Sequence, residues 1–183
     1  MNTLEYAKQI LSRMCAGMEL VDDAPVEAFV DAVLKAKRIY VAGAGRSMLM
    51  LRAFAMRLMH LGFVSYVVGE TVTPAAGEGD LLVMGSGSGE TSTMKAIAEK
   101  AKKAGMTIAT ITTFPESSLG KAAGVVVALQ GKIAQGDNNM QSGQPGGSVF
   151  EQNMLILLDS VVLRLADKAN IDLRRFALHA NLE

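Results

Sequence analysis

The chain has 183 residues, half of them hydrophobic, with 20% charged and only four prolines. That composition excludes a disordered polypeptide, and the length suits one domain with a substantial core. Eighteen basic residues balance eighteen acidic ones, so the net basic field that nucleic-acid binding needs is missing.

Two helices are expected over 2–36. In the first, Leu4, Ala7, Leu11, Met14, Met18 and Val21 recur at alternating spacings of three and four, a heptad seam. Such a seam packs either on the chain's own sheet or on a second subunit. The charges at Glu5, Lys8 and Arg13 interrupt any apolar run of the kind an export signal needs. Cys15, the single cysteine, cannot form an internal disulfide. It sits in the apolar helical pattern and reads as a buried thiol in a reducing compartment, hence a cytoplasmic protein. One cysteine and two histidines offer no metal site.

From residue 37 the pattern changes to short β-branched runs: 38–41, 64–68, 81–84, 107–111 and 125–128. They are continuously apolar, as strands covered on both faces are. Helical stretches at 48–61 and 91–104 lie between them, and a last helix runs from Ser148 to about Ala169. The expected fold is α/β, a doubly wound five-stranded parallel sheet in flavodoxin-like order 2-1-3-4-5, with helices on both faces. The sheet region spans 37–170 and a C-terminal tail spans 171–183, all in a single domain. The stretch 48–64 is broken by Arg52, Arg57 and His60 and is a buried helix rather than a membrane span, which needs about 20 apolar residues. The last helix is apolar nearly all round, so it needs cover on most sides, and a homo-oligomer is the expected source of it. The polar, Gly-rich stretch 129–147 is long enough to be functional.

Two strand-to-helix turns carry the chemistry. The first is Gly43-Ala44-Gly45-Arg46-Ser47; the second is Ser86-Gly87-Ser88-Gly89-Glu90-Thr91. In a 2-1-3-4-5 sheet both fall at one crevice, outside the carboxyl ends of neighbouring strands. Glycines allow close backbone approach, helix N-termini favour anions, and the hydroxyls of Ser47, Ser86, Ser88 and Thr91 can donate to phosphate oxygens. The competing reading is that Ser86 or Ser88 merely caps the next helix. A dinucleotide fingerprint is not completed, because Met48 occupies its third glycine position and would obstruct close helix–strand approach. Glu70 is too distant for the ribose acid, and no Gly-Lys-Ser/Thr occurs. A single phosphate on a small molecule fits better. Arg46 and Arg52 are the nearest cations to support it.

Beside that crevice, Glu151 is the candidate base for moving a proton next to a carbonyl. Ser148-x-x-Glu151 also spells a capping box, which would explain the glutamate structurally. His60, about 20 Å down its helix from the first turn, reads as structural or interfacial. His179, in the tail, is either a surface residue or a catalytic acid.

The chain resembles the sugar isomerase (SIS) domain family and, within it, the 6-phospho-3-hexuloisomerases. The resemblance is carried by Gly43–Ser47, 52–62, Val68-Gly69-Glu70-Thr71, Thr73-Pro74, 79–82, 86–91, Phe150-Glu151-Gln152 and the terminal His179-Ala180-Asn181-Leu182-Glu183. It implies conversion of D-arabino-3-hexulose 6-phosphate to fructose 6-phosphate in formaldehyde assimilation by the ribulose monophosphate pathway, a homotetramer, and no cofactor. By motif position it implies phosphate binding by Ser47, Ser86, Gly87, Ser88, Gly89 and Thr91, with Glu151 as the proton-moving base. The tail Phe176-Ala177-Leu178-His179 is also similar to that of arabinose 5-phosphate isomerases, where a histidine in such a stretch serves the site. Met48 departs from the glycine that relatives place after the first-turn serine.

Overall fold

The computed structural model describes residues 1–130 and 148–172. The chain runs α1 (Thr3–Met18), α2 (Asp23–Lys35), β1 (Ile39–Gly43), α3 (Gly45–His60), β2 (Ser65–Val67), β3 (Leu81–Gly85), α4 (Ser92–Lys103), β4 (Thr107–Thr112), α5 (Ser118–Ala122), β5 (Val125–Ala128) and α6 (Ser148–Ala169). The five strands form one parallel sheet in the order β2-β1-β3-β4-β5. Among the described residues, no helix is long and apolar enough to cross a membrane.

Side-chain alternation explains the continuously apolar strands. Ile39, Val41, Leu81, Val83, Ala109 and Ile111 point to one face, where α2, α3 and α6 pack with Phe29, Phe54, Phe150 and Met154. Tyr40, Ala42, Leu82, Met84 and Ile108 point to the other, against Met94, Ala98 and Ala101 of α4 and Leu119 of α5. Each strand residue is thus apolar because each face is covered. Where a threonine intrudes it is bonded: Thr110 Oγ1 donates to the Leu119 carbonyl at 3.4 Å. At the amino edge of the sheet, the buried Asp80 is held by Arg38, at 3.0 and 2.7 Å, and by the Gly77 N–H at 2.8 Å. Burial alone would raise the Asp80 pKa, but those bonds outweigh it and hold the carboxyl below its ordinary value.

Three expectations need correction. Cys15 is exposed, not buried. α1 lies on neither face of its own sheet; it packs on α6, and Gly17 is its one buried residue. There a Cβ on Gly17 would come within 2.3 Å of the Asn153 amide, so glycine is what lets the two helices meet. The heptad seam is therefore split. Met18 and Val21 pack against the core, while Leu4 and Leu11 stand 73% and 59% exposed. Finally, α6 obtains most of its cover from α1, α2 and α3 of the same chain, leaving Ile156 and Leu163 exposed. Its apolarity is no independent sign of a second subunit. Ion pairs from Arg164 and Lys168 to Glu27, and from Lys168 to Asp31, pin α6 to α2.

Candidate functional site

Both glycine turns lie at the carboxyl edge of the sheet, side by side, because β1 and β3 are neighbours with Gly43 in register with Gly85. A Cβ on Gly43 would meet the Met48 backbone N at 3.0 Å, and one on Gly85 would meet Met154 Sδ at 2.8 Å. The absence of these two Cβ atoms lets α3 and α6 close over the strand ends. Met48 does not obstruct that approach; its backbone is the part that makes it.

The helices that follow the two glycine turns differ from α1, α2 and α5 in one respect. α1, α2 and α5 carry side-chain caps from Asn2, Asp22 and Ser117. α3 starts after Ala44 and α4 after Thr91, and neither receives a side-chain cap bond. The capping reading of the serines fails on geometry. Ser86 Oγ accepts the Gly89 N–H at 3.1 Å and Ser88 Oγ accepts the Glu90 N–H at 3.2 Å, so both serve the turn itself. Two helix N-termini are left to meet an anion with their unspent amides and their dipoles. Ser86 and Thr91 hydroxyls stand 3.5 Å apart, Ser47 and Ser86 are buried, Gly87 is half-buried and Ser88 is exposed.

The second turn is moored from behind by β4 and α5. The Gly87 carbonyl accepts the Thr113 N–H at 3.1 Å and Thr112 Oγ1 at 3.3 Å. The Gly89 carbonyl accepts the Leu119 N–H at 3.1 Å. Gly89 has φ +64°, and a Cβ there would fall 1.9 Å from Ser117 Oγ, so only glycine serves. Glu90 turns outward and accepts the Ser118 N–H and Oγ–H at 2.7 and 2.8 Å, with Lys95 at 3.1 Å. The Ser118 amide and hydroxyl, then Lys95, pull its pKa down to about 2. These supports escape a reading of the turn alone. The signals were the Ser117-Ser118 pair ahead of α5 and the two threonines that end an apolar strand.

Across the crevice, Ser47 Oγ lies 3.5 Å from Glu151 Oε1. Residues 104 apart in sequence meet because α3 and α6 share one sheet face. Glu151 Oε2 is buried and has no hydrogen-bond partner among the described residues. Burial raises the carboxyl pKa above its ordinary value; the residue's own N–H, Arg46 and the Ser47 hydroxyl pull the other way without cancelling it. α6 begins at Ser148, so the cap position of the supposed capping box falls at 147, outside the described residues. Arg52 is not aimed at the turns: it pairs with Glu70, which follows β2. His60 closes α3, far from the turn that opens it. His179 lies outside the described residues, as does 131–147 of the Gly-rich stretch. No cluster of His, Cys, Asp or Glu able to hold a metal occurs among the described residues.

The SIS domain model matches residues 32–152, which takes in both turns and Glu151. The chain belongs to the SIS domain family. A relative from Bacillus subtilis named 3-hexulose-6-phosphate isomerase is 42% identical over the whole of both chains. A relative of the same name from Mycobacterium gastri is 42% identical over 89% of this chain and 82% of its own. Among solved structures, a Methanococcus jannaschii protein inferred to be a 3-hexulose-6-phosphate isomerase is 33% identical, with TM-score 0.80 and 97% of each chain covered. The SIS match thus runs from the end of α2 to the start of α6, with the paired turns inside it.

Proposed function

We propose that this SIS protein is an isomerase that interconverts D-arabino-3-hexulose 6-phosphate and fructose 6-phosphate through an enediolate. The observation that carries the reading is the pairing of two uncapped helix N-termini with a half-buried carboxylate across the same crevice, one of whose oxygens has no partner among the described residues. Phosphate sits at the N-termini of α3 and α4, held by the Gly87 amide and the hydroxyls of Ser47, Ser86, Ser88 and Thr91, while Gly89, whose N–H is bonded to Ser86, lets the turn take its shape. Anchoring the phosphate fixes the sugar chain against Glu151. Glu151 takes the proton from C2 of the 3-ketose and returns it to C3, while a hydroxyl proton moves between the two oxygens. A carboxyl raised by burial is a stronger base than an ordinary one. The names of relatives that match along their full length support the same substrate.

His179 is proposed as the acid that moves the oxygen proton. From Glu151 to Ala169, α6 descends about 27 Å from the site. Ten further residues, fully extended, span at most about 35 Å. That reach allows its own site or a neighbouring copy's, and we propose the neighbouring copy's. The exposed Leu4 and Leu11, seven residues apart on one side of α1, support a self-assembled state, which we take to be a tetramer of single-domain subunits. With that reaction we assign the protein to the cytoplasm and to formaldehyde assimilation by the ribulose monophosphate pathway.

The test is direct. Incubated with 3-hexulose 6-phosphate, the protein yields fructose 6-phosphate, and in deuterated water the product gains solvent deuterium. Binding of the phosphosugar without conversion would instead indicate a sensing module.

A further inference from the structure

Among the described residues, Glu151 Oε2, Asn153 Oδ1 and Thr113 Oγ1 are buried side-chain atoms with no hydrogen-bond partner. An unsatisfied buried polar atom is costly and calls for an explanation. The Asn153 amide faces Gly17 of α1 and donates to the Gln130 carbonyl, which turns it away from the crevice. Glu151 is the proposed base. Thr113 belongs to no element, and the proposed chemistry does not use it.

Its position follows from the sheet. Thr113 immediately follows β4. The Ser86 N–H donates to the Ile111 carbonyl and the Thr113 N–H to the Gly87 carbonyl, so backbone bonds tie the end of β4 to the second turn just beyond the paired strands. Alternation then carries the Thr113 side chain to the face of Ile111, which is the face of α3 and α6. One layer below, Gly85 pairs with Ile111, and a Cβ on Gly85 would meet Leu51 and Met154. Two residues past that pair, beyond the ends of both strands, come Gly87 and Thr113, joined by the Thr113 N–H. Moving up by one helical turn, about 5.4 Å, replaces Leu51 by Ser47 and Met154 by Glu151. Thr113 therefore stands in the layer of the phosphate turn, the base and its serine.

We propose that Thr113 is a substrate-binding residue whose Oγ1 hydroxyl hydrogen-bonds an oxygen of the sugar chain beside the carbon that Glu151 deprotonates. This rests on the phosphosugar reading above and adds to it a contact for the sugar rather than for its phosphate. Among the described residues the hydroxyl has no partner, because its partner is the ligand.

The experiment compares Thr113→Val and Thr113→Ser with the unaltered full-length protein. It measures calorimetric dissociation constants for fructose 6-phosphate and for inorganic phosphate, together with the melting temperature. Valine keeps the shape and removes the unbonded hydroxyl. Its expected result is about 5–10-fold weaker fructose 6-phosphate binding, unchanged phosphate binding and a melting temperature no lower than that of the parent. Serine recovers most of the sugar affinity. Equal loss for both ligands, no loss for either, or a lowered melting temperature with an unchanged ligand ratio overturns the proposal. A parent protein that binds fructose 6-phosphate yet fails to isomerise the hexulose defeats the isomerase reading and leaves the Thr113 comparison decisive. A parent that binds fructose 6-phosphate no better than phosphate defeats the Thr113 proposal outright.

Discussion

Replacing Glu151 by glutamine separates a base from a helix cap, because glutamine can complete a capping box but cannot accept a carbon-bound proton. The amide preserves the volume of the side chain and can still accept from Ser47 Oγ, 3.5 Å away. General-base removal costs about 10²–10⁴-fold in turnover, equivalent to about 3–5 kcal/mol in the barrier. Stability should move the opposite way. Burial lifts the carboxyl pKa in the folded chain above the ordinary 4.5, so the folded state binds more protons between those two values. Stability then falls as pH rises through that window, and the ionised form is a net cost above it. Removing the charge relieves that cost, so Glu151→Gln should melt no lower than the parent at pH 7. The assay couples fructose 6-phosphate formation to an NADP-linked dehydrogenase, with circular dichroism to follow the melt. The acid limb of kcat/KM in the parent should lie above pH 4.5, where the raised carboxyl takes up its proton. A variant retaining a tenth or more of parental turnover, or an acid limb at or below pH 4.5, would refute the assignment.

Other perturbations probe the supports. Gly89→Ala forces a side chain into a left-handed conformation at φ +64° and against Ser117 Oγ; it should destabilise by about 2–4 kcal/mol in chemical denaturation and raise KM. A melt within 1 °C of the parent would contradict the mooring of the turn on α5. Glu90, depressed to about 2, lends stability that is present above its ordinary 4.5 and is lost as pH falls toward 2. Glu90→Gln should therefore flatten the acid unfolding profile in that window, and an unchanged profile would count against the Ser118 clamp. Asp80→Ala leaves Arg38 and the Gly77 N–H without their acceptor and should cost about 2 kcal/mol with kcat unaffected, since it lies at the opposite sheet edge. For the tail, inactive Glu151→Gln and His179→Ala proteins, once mixed and reassembled, should regain part of the parental activity. No recovery would place His179 in its own subunit's site or outside the reaction.

The sequence determined the sheet and its cover. Residues 39–43, 81–85 and 107–112 alternate between two apolar faces, and that doubling is visible as unbroken apolar runs because both faces exclude water. Strand–helix alternation makes the sheet parallel, and in the order β2-β1-β3-β4-β5 the two glycine turns pair at one edge. The motif serines were legible for the same local reason: a turn's chemistry is written in adjacent residues. Only the tertiary structure could decide what distant segments do to one another. The helical pattern around Cys15 indicates an apolar face but not which surface covers it, and α1 chose α6 over the sheet through Gly17. Nothing local distinguishes Glu151 the cap from Glu151 facing Ser47, since that meeting joins residues 104 apart. Nor could spacing reveal that α3 and α4 start uncapped, or that Thr113 buries a hydroxyl with no partner. Those are statements about which atoms remain unbonded after everything else has packed, and packing in three dimensions alone settles them.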